Sequence, residues 1–146
     1  MRIVLSQERI DEITPCIIHK ENYTCVNNPI FPCIELFICT CDDINNINKY
    51  FGHIPANIYD ADQWIAYTVD ETYEKSTGDE GILLLFKEGA VTPGIIAHEI
   101  VHACTCACEK IGIPINTDCD ESAAYLTEFI TDCVYSSAVK SIEHKS

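Results

Sequence analysis

The clearest pattern of apolar and polar positions lies in the second half of the chain. Residues 82–86 are an unbroken apolar run after a polar, glycine-containing stretch at 76–81, and predict a buried or half-buried strand. Residues 64–69 carry Trp, Ile, Tyr, Thr and Val, all good strand formers. The two segments are spaced as an antiparallel hairpin with a loop longer than the tightest types. Thr92 and Pro93 then open a helix, Thr as N-cap and Pro at the first helical position. Its apolar residues Ile95, Ile96, Ala97, Ile100, Val101, Ala103, Ala107 and Ile111 go all round, which predicts a buried helix, stopped by Gly112 and Pro114. A second helix runs from about 119 or 120 to about 140, with Ala123, Leu126, Phe129, Ile130, Cys133 and Val134 on one face; residues 141–146 are a polar tail.

The first half is harder to read. Residues 34–39 form a short apolar run between Pro32 and Asp42-Asp43 and predict a strand. Ile44, Ile47, Tyr50 and Phe51 recur at helical spacing, with Thr40 or Asp42 as cap and Gly52 as stop. Residues 2–5 and 16–19 suit short strands, and Asn27, Asn28, Pro29 and Pro32 mark turns or loop. The whole reads as one α+β domain over 1–146: a small antiparallel sheet packed on the buried helix and on a second long C-terminal helix. Its parts are an N-terminal α/β region, 1–81, without a recognised motif, the strand and two helices of 82–140, and the tail.

Composition narrows the function classes. At 47% hydrophobic and 22% charged, the chain is not dominated by disorder. Its formal charge of −14 repels phosphate backbones and anionic lipids, so neither nucleic acid nor a membrane is an expected partner. The first residues lack the apolar stretch of a secretory signal, which makes the cytoplasm the expected location. There are ten cysteines, at 16, 25, 33, 39, 41, 104, 106, 108, 119 and 133. Without a signal, reduced and mostly buried thiols are the first expectation; a second, thiolate zinc site and native disulfides are the alternatives. Residues two apart on a helix point about 200° from each other, so Cys104, Cys106 and Cys108 do not converge on one ion. Cys39-Thr40-Cys41 is a C-x-C at a strand end.

The motif that carries chemistry is His98-Glu99-Ile100-Val101-His102, the H-E-x-x-H pattern. Side chains at i and i+4 share a helix face, so both imidazoles can reach one Zn2+. Glu99 can accept a proton from a water on that ion, as general base. The uncharged flanks, from Ile95 to Ala97 and at Ile100, Val101, Ala103 and Cys104, suit a buried metal helix. The bland reading is a helix whose core histidines bond neighbouring carboxylates.

A catalytic zinc site needs a third protein ligand. Glu121, near the start of the returning helix, is the choice; Asp118 and Asp120 compete with it. Asp118-x-x-Glu121 also reads as a capping-box variant, with the acid at the positive end of the helix dipole. Tyr125, one turn on, could donate to an oxyanion, and Glu128 and Asp132 could orient the histidines or form a solvated face. His19 and His53 read as surface or capping residues, His144 as a solvated tail residue, and Trp64 and Tyr67 as residues on opposite faces of one strand.

The stretch Gly94-Ile-Ile-Ala-His98-Glu-Ile-Val-His102-Ala, followed by Asp120-Glu121-x-x-Ala124-Tyr125, resembles the zincin metallopeptidases. The third-ligand Glu resembles the gluzincin arrangement, and the chain is most similar to small single-domain metallopeptidases of bacteriophages and mobile elements. The resemblance covers about residues 82–132. It implies a minimal zincin-like fold in which an antiparallel edge strand, here residues 82–86, lies beside the metal helix and pairs with an extended peptide. The chain departs from the longer gluzincins in lacking their Asn-Glu-x-x-Ser-Asp pattern and a separate C-terminal helical domain.

Two functions are consistent with these residues. In the first, His98, His102 and Glu121 hold Zn2+, and Glu99 serves as base in peptide-bond hydrolysis, with a peptide or protein as substrate. In the second, the fold is a catalytically inactive structural or interaction module, such as a phage particle component, with a protein partner in an assembly and a virion as its location. A fourth protein ligand, Cys106 or Asp118, would favour the second reading.

Overall fold

The computed structural model describes residues 5–27, 34–55, 65–117 and 121–139. Among these residues three α-helices, α1 (Gln7–Ile13), α2 (Pro93–Ile111) and α3 (Glu121–Val134), combine with six strands. The strands are β1 (Ile17–His19), β2 (Thr24–Asn27), β3 (Glu35–Cys41), β4 (Phe51–Gly52), β5 (Ala66–Glu74) and β6 (Glu80–Lys87). They form one sheet in the order β1-β2-β3-β6-β5-β4.

The sheet is mixed, which corrects the expectation of a purely antiparallel one. β3 and β6 run parallel, with Leu36 opposite Ile82 and Ile38 opposite Leu84, while every other pair is antiparallel. The reason is in the side chains. Both strands are apolar on both faces, and such strands belong in the middle of a sheet covered on both sides. Toward the helices, Leu36, Ile38, Ile82, Leu84 and Phe86 pack against Ile96, Ile100, Ala103 and Ala107 of α2 and Leu126 and Ile130 of α3. On the opposite face, Phe37, Cys39, Leu83 and Leu85 pack with Ile44, Ile47 and Phe51.

The β5–β6 hairpin forms as its pattern predicts, but β5 runs on to Glu74 and its register slips between Val69 and Thr72. β6, read as an edge strand, is interior, flanked by β3 and β5. Residues 44–49 form a tight 3-10 helix rather than an α-helix; its cap is Asp43, whose carboxylate accepts from the Asn45 N–H at 2.9 Å. Phe51 and Gly52 then pair with β5, and a Cβ at Gly52 would lie 2.1 Å from the Tyr73 ring, so any larger residue there would have to displace that ring.

The N-terminal helix α1 was not legible in the pattern: seven residues bury only Ile13, and Ser6 caps it by accepting from the Arg9 N–H at 3.2 Å. Residues 16–19 do contribute a strand, whereas the strand expected at 2–5 falls largely outside the described residues. α2 has its expected Thr92 cap, and it ends at Gly112, in the left-handed region at φ 74°, which glycine enters without strain. α3 stops at Val134, short of the expected 140, and passes into a wider π turn over Tyr135–Val139. No helix among the described residues is long and apolar enough to cross a membrane.

Candidate metal and active-site cleft

α2 is not buried on all sides, a second correction. Ile96, Glu99, Ile100, Ala103, Cys104, Ala107 and Cys108 face inward, whereas Ala97, His98, Val101, His102 and Thr105 are exposed, Val101 to 62%. The apolar residues at 97 and 101 belong to a wall open to solvent.

The exposed wall carries the two histidines. Their Nε2 atoms lie 3.2 Å apart, and the rings meet edge to face at 4.9 Å between centroids. Two nitrogens at a Zn–N distance of 2.0–2.1 Å in a tetrahedron are separated by about 3.3 Å. The pair therefore fits two corners of a zinc site.

Glu99 lies on the inner side of this wall and is 6% exposed. Its Oε2 accepts from the hydroxyl of Thr68 on β5, and the same hydroxyl is 3.2 Å from the Glu99 carbonyl oxygen. β5 alternates: Tyr67 and Val69 pack on the far side of the sheet, while Ala66 and Thr68 turn toward α2. Between α2 and β5 opens a cleft of about 510 Å3, lined by Ala66, Tyr67, Thr68, Asp70, His98, Glu99, His102 and Cys106. The lining includes two carboxylic acids and no lysine or arginine, a setting that favours a cation. Cys106 keeps its proton: burial pushes its thiol up, and the charge of Asp70 adds to that. As a metal ligand it would first have to lose that proton.

Among the described residues, no three His, Cys, Asp or Glu side chains converge as a metal-binding group. Glu121 is exposed on the first turn of α3, and Asp118 and Asp120 lie outside the described residues. Tyr125 is exposed on α3. Asp132 does not serve the histidines; its Oδ2 accepts from Arg9 Nε at 2.6 Å and ties α1 to α3. His19 stands 3.3 Å from the Thr24 hydroxyl, and His53 packs edge-on against Tyr73. His144 and Trp64 lie outside the described residues. Eight cysteines are described, all unbridged; Cys33 and Cys119 are not among them.

Thr68 and Asp70 are the site residues that motif reading missed. Their one signal was the alternation of Ala66, Thr68 and Asp70, small or polar residues on one face of a strand otherwise rich in large ones. No family model, curated protein or solved structure matches the chain.

Proposed function

We propose that the chain is a zinc-dependent, zincin-like metallopeptidase, with His98 and His102 as metal ligands and Glu99 as general base; Glu121, the third ligand expected from the sequence, does not converge with the two histidines here. The observation that carries this reading is the pair of Nε2 atoms 3.2 Å apart on an exposed helix face, at the separation a zinc tetrahedron requires. Bound there, the ion would lower the pKa of a water toward about 7 and polarise a scissile carbonyl. The chain's own residues would do the rest. Thr68 holds Oε2 of Glu99, so the proton travels on Oε1, from the attacking water to the leaving amine. Alignment of an extended peptide falls to β5 in place of β6. β5 borders the cleft, and among the described residues no strand pairs with its 66–70 segment on the side away from β6.

A second reading is a structural module, such as a phage particle component. One observation favours it: Glu99 is buried and bonded to Thr68, as a tie between helix and sheet would be.

The deciding experiment is metal content per chain, by elemental analysis of protein purified under reducing conditions without added zinc. About one zinc per chain, absent after joint His98→Ala and His102→Ala substitution, is expected, with peptide cleavage by the loaded wild type. Two or more would add a thiolate site. No zinc, even after zinc is offered, would remove the enzyme reading.

A further inference from the structure

The face of the sheet opposite the helices carries a second group of reactive side chains. Strand side chains repeat with period two, so Cys39 and Cys41 stand on the same face of β3. Cys39 is buried, at 3% exposure, and Cys41 is half-buried. Beside them opens a cleft of about 220 Å3, whose lining includes Asn46, Lys49 and Tyr50 with both cysteines.

The Cys39 thiol lies 3.5 Å from the carbonyl oxygen of Asn22, and its other acceptor is the Cys41 sulfur. That donation, together with burial, keeps Cys39 protonated far above the usual thiol range. The same bond pulls the Cys41 thiol below its ordinary value, against the opposing effects of burial and of Asp42, Asp43 and Glu88. Cys41, half-buried, is the more accessible sulfur at the cleft, and the buried Cys39 stands behind it on the same strand face.

We propose that Cys39 and Cys41 form a thiol–disulfide exchange site for small aliphatic disulfides of the glutathione class, with Cys41 attacking and Cys39 resolving. The Cys41 thiolate attacks one sulfur of glutathione disulfide; a mixed disulfide forms, the glutathione S–S bond breaks, and one glutathione leaves as thiolate. Cys39 gives up its proton to that thiolate, attacks the Cys41 sulfur and expels the second glutathione. The dithiol loses two electrons, and the disulfide gains them as two molecules of glutathione. Lys49 and Asn46 offer a cation and an amide to the carboxylates and peptide groups of such a ligand, against the repulsion of Asp42, Asp43 and Glu88 near Cys41.

The strand limits how long the product lasts. Residues two apart on a strand have Cα atoms about 6.4–6.8 Å apart, at the upper end of the roughly 4.4–6.8 Å that a disulfide spans. Over residues 39–41, β3 pairs with β6 alone, at residues 85–87, and that pairing keeps the segment extended. A bridge there is strained and readily reduced, which suits a site that cycles.

The test begins with wild-type protein and iodoacetamide. Cys41 should alkylate at least about tenfold faster than Cys106, a half-buried thiol of the same chain. Equal or slower alkylation overturns the proposal. Glutathione disulfide should then yield a bridge between Cys39 and Cys41, located by peptide fragmentation and reversed by excess glutathione. Cys39→Ser should retain one glutathione on Cys41, and Cys41→Ser none on Cys39. A bridge between other cysteines with this pair untouched, or glutathione carried by Cys39, overturns it. If a serine variant fails to fold, the wild-type rates and the mapped bridge decide.

Discussion

Among the described residues two carboxylates are buried, on opposite sides of the sheet, and their surroundings differ. Glu74, at the end of β5 and 1% exposed, is encircled by donors. Lys20 reaches its Oε2, the Tyr23 hydroxyl donates to the same oxygen at 2.5 Å, and the Thr77 hydroxyl donates to Oε1 at 2.8 Å. Burial pushes its pKa up, but these three partners outweigh burial and bring it down to about 2. Among the described residues, Glu99 has Thr68 as its one side-chain partner, and it borders an open cleft beside two histidines. A carboxylate whose lone pairs are fully engaged is committed to stability; one with an oxygen left over can carry a proton. The contrast separates a structural acid from a candidate chemical one by partner count rather than by burial.

The largest effect that would sharpen this contrast is on turnover. Glu99→Gln should keep zinc and fold while peptide hydrolysis falls by roughly 10^2- to 10^4-fold. Full turnover in that variant would place Glu99 with Glu74 as a structural acid. Next in size, Glu74→Ala leaves Lys20 and two hydroxyls facing a void. It should cost about 3 kcal/mol, read as a lower urea midpoint with unchanged slope. A change near zero would mean that water replaces the carboxylate there.

Acid titration probes the same acid more gently. The folded value of Glu74 lies below the ordinary 4.5, so its contribution is complete above pH 4.5 and is lost as pH falls toward 2. Glu74→Gln should flatten the stability profile in that window; an unchanged slope would assign acid sensitivity to other groups. The smallest effect is expected from Thr68→Val, which removes one donor at nearly constant shape. It should cost about 1–2 kcal/mol and leave zinc content unchanged, by urea unfolding and elemental analysis. Loss of zinc in that variant would make Thr68 part of the metal site.

The sequence was most informative where the physics is local. Thr92, Pro93 and Gly112 set the ends of α2, because caps depend only on neighbouring backbone groups. The facing of His98 and His102 follows from four residues of helix, and the shared face of Cys39 and Cys41 from two residues of strand. The short helix α1 escaped notice because it offers a single buried side chain and no apolar stripe. The 3-10 helix at 44–49 has apolar spacing that the two helix types share over so few residues.

What the chain alone determined, then, is a helix bearing a histidine pair, a hairpin before it and a second amphipathic helix after it. Tertiary structure decided which strand borders the helix that bears the histidine pair. The apolar run at 82–86 was readable as a strand, but its place in the sheet depends on β3, more than forty positions earlier. Parallel pairing with β3 satisfies both edges of β6 and both its apolar faces, which leaves the 66–70 segment of β5, beyond the reach of β4, as the open stretch beside α2. That same placement brings Thr68 onto Glu99, thirty-one positions away. Such pairings are chosen by burial of the whole sheet, and no local periodicity encodes them.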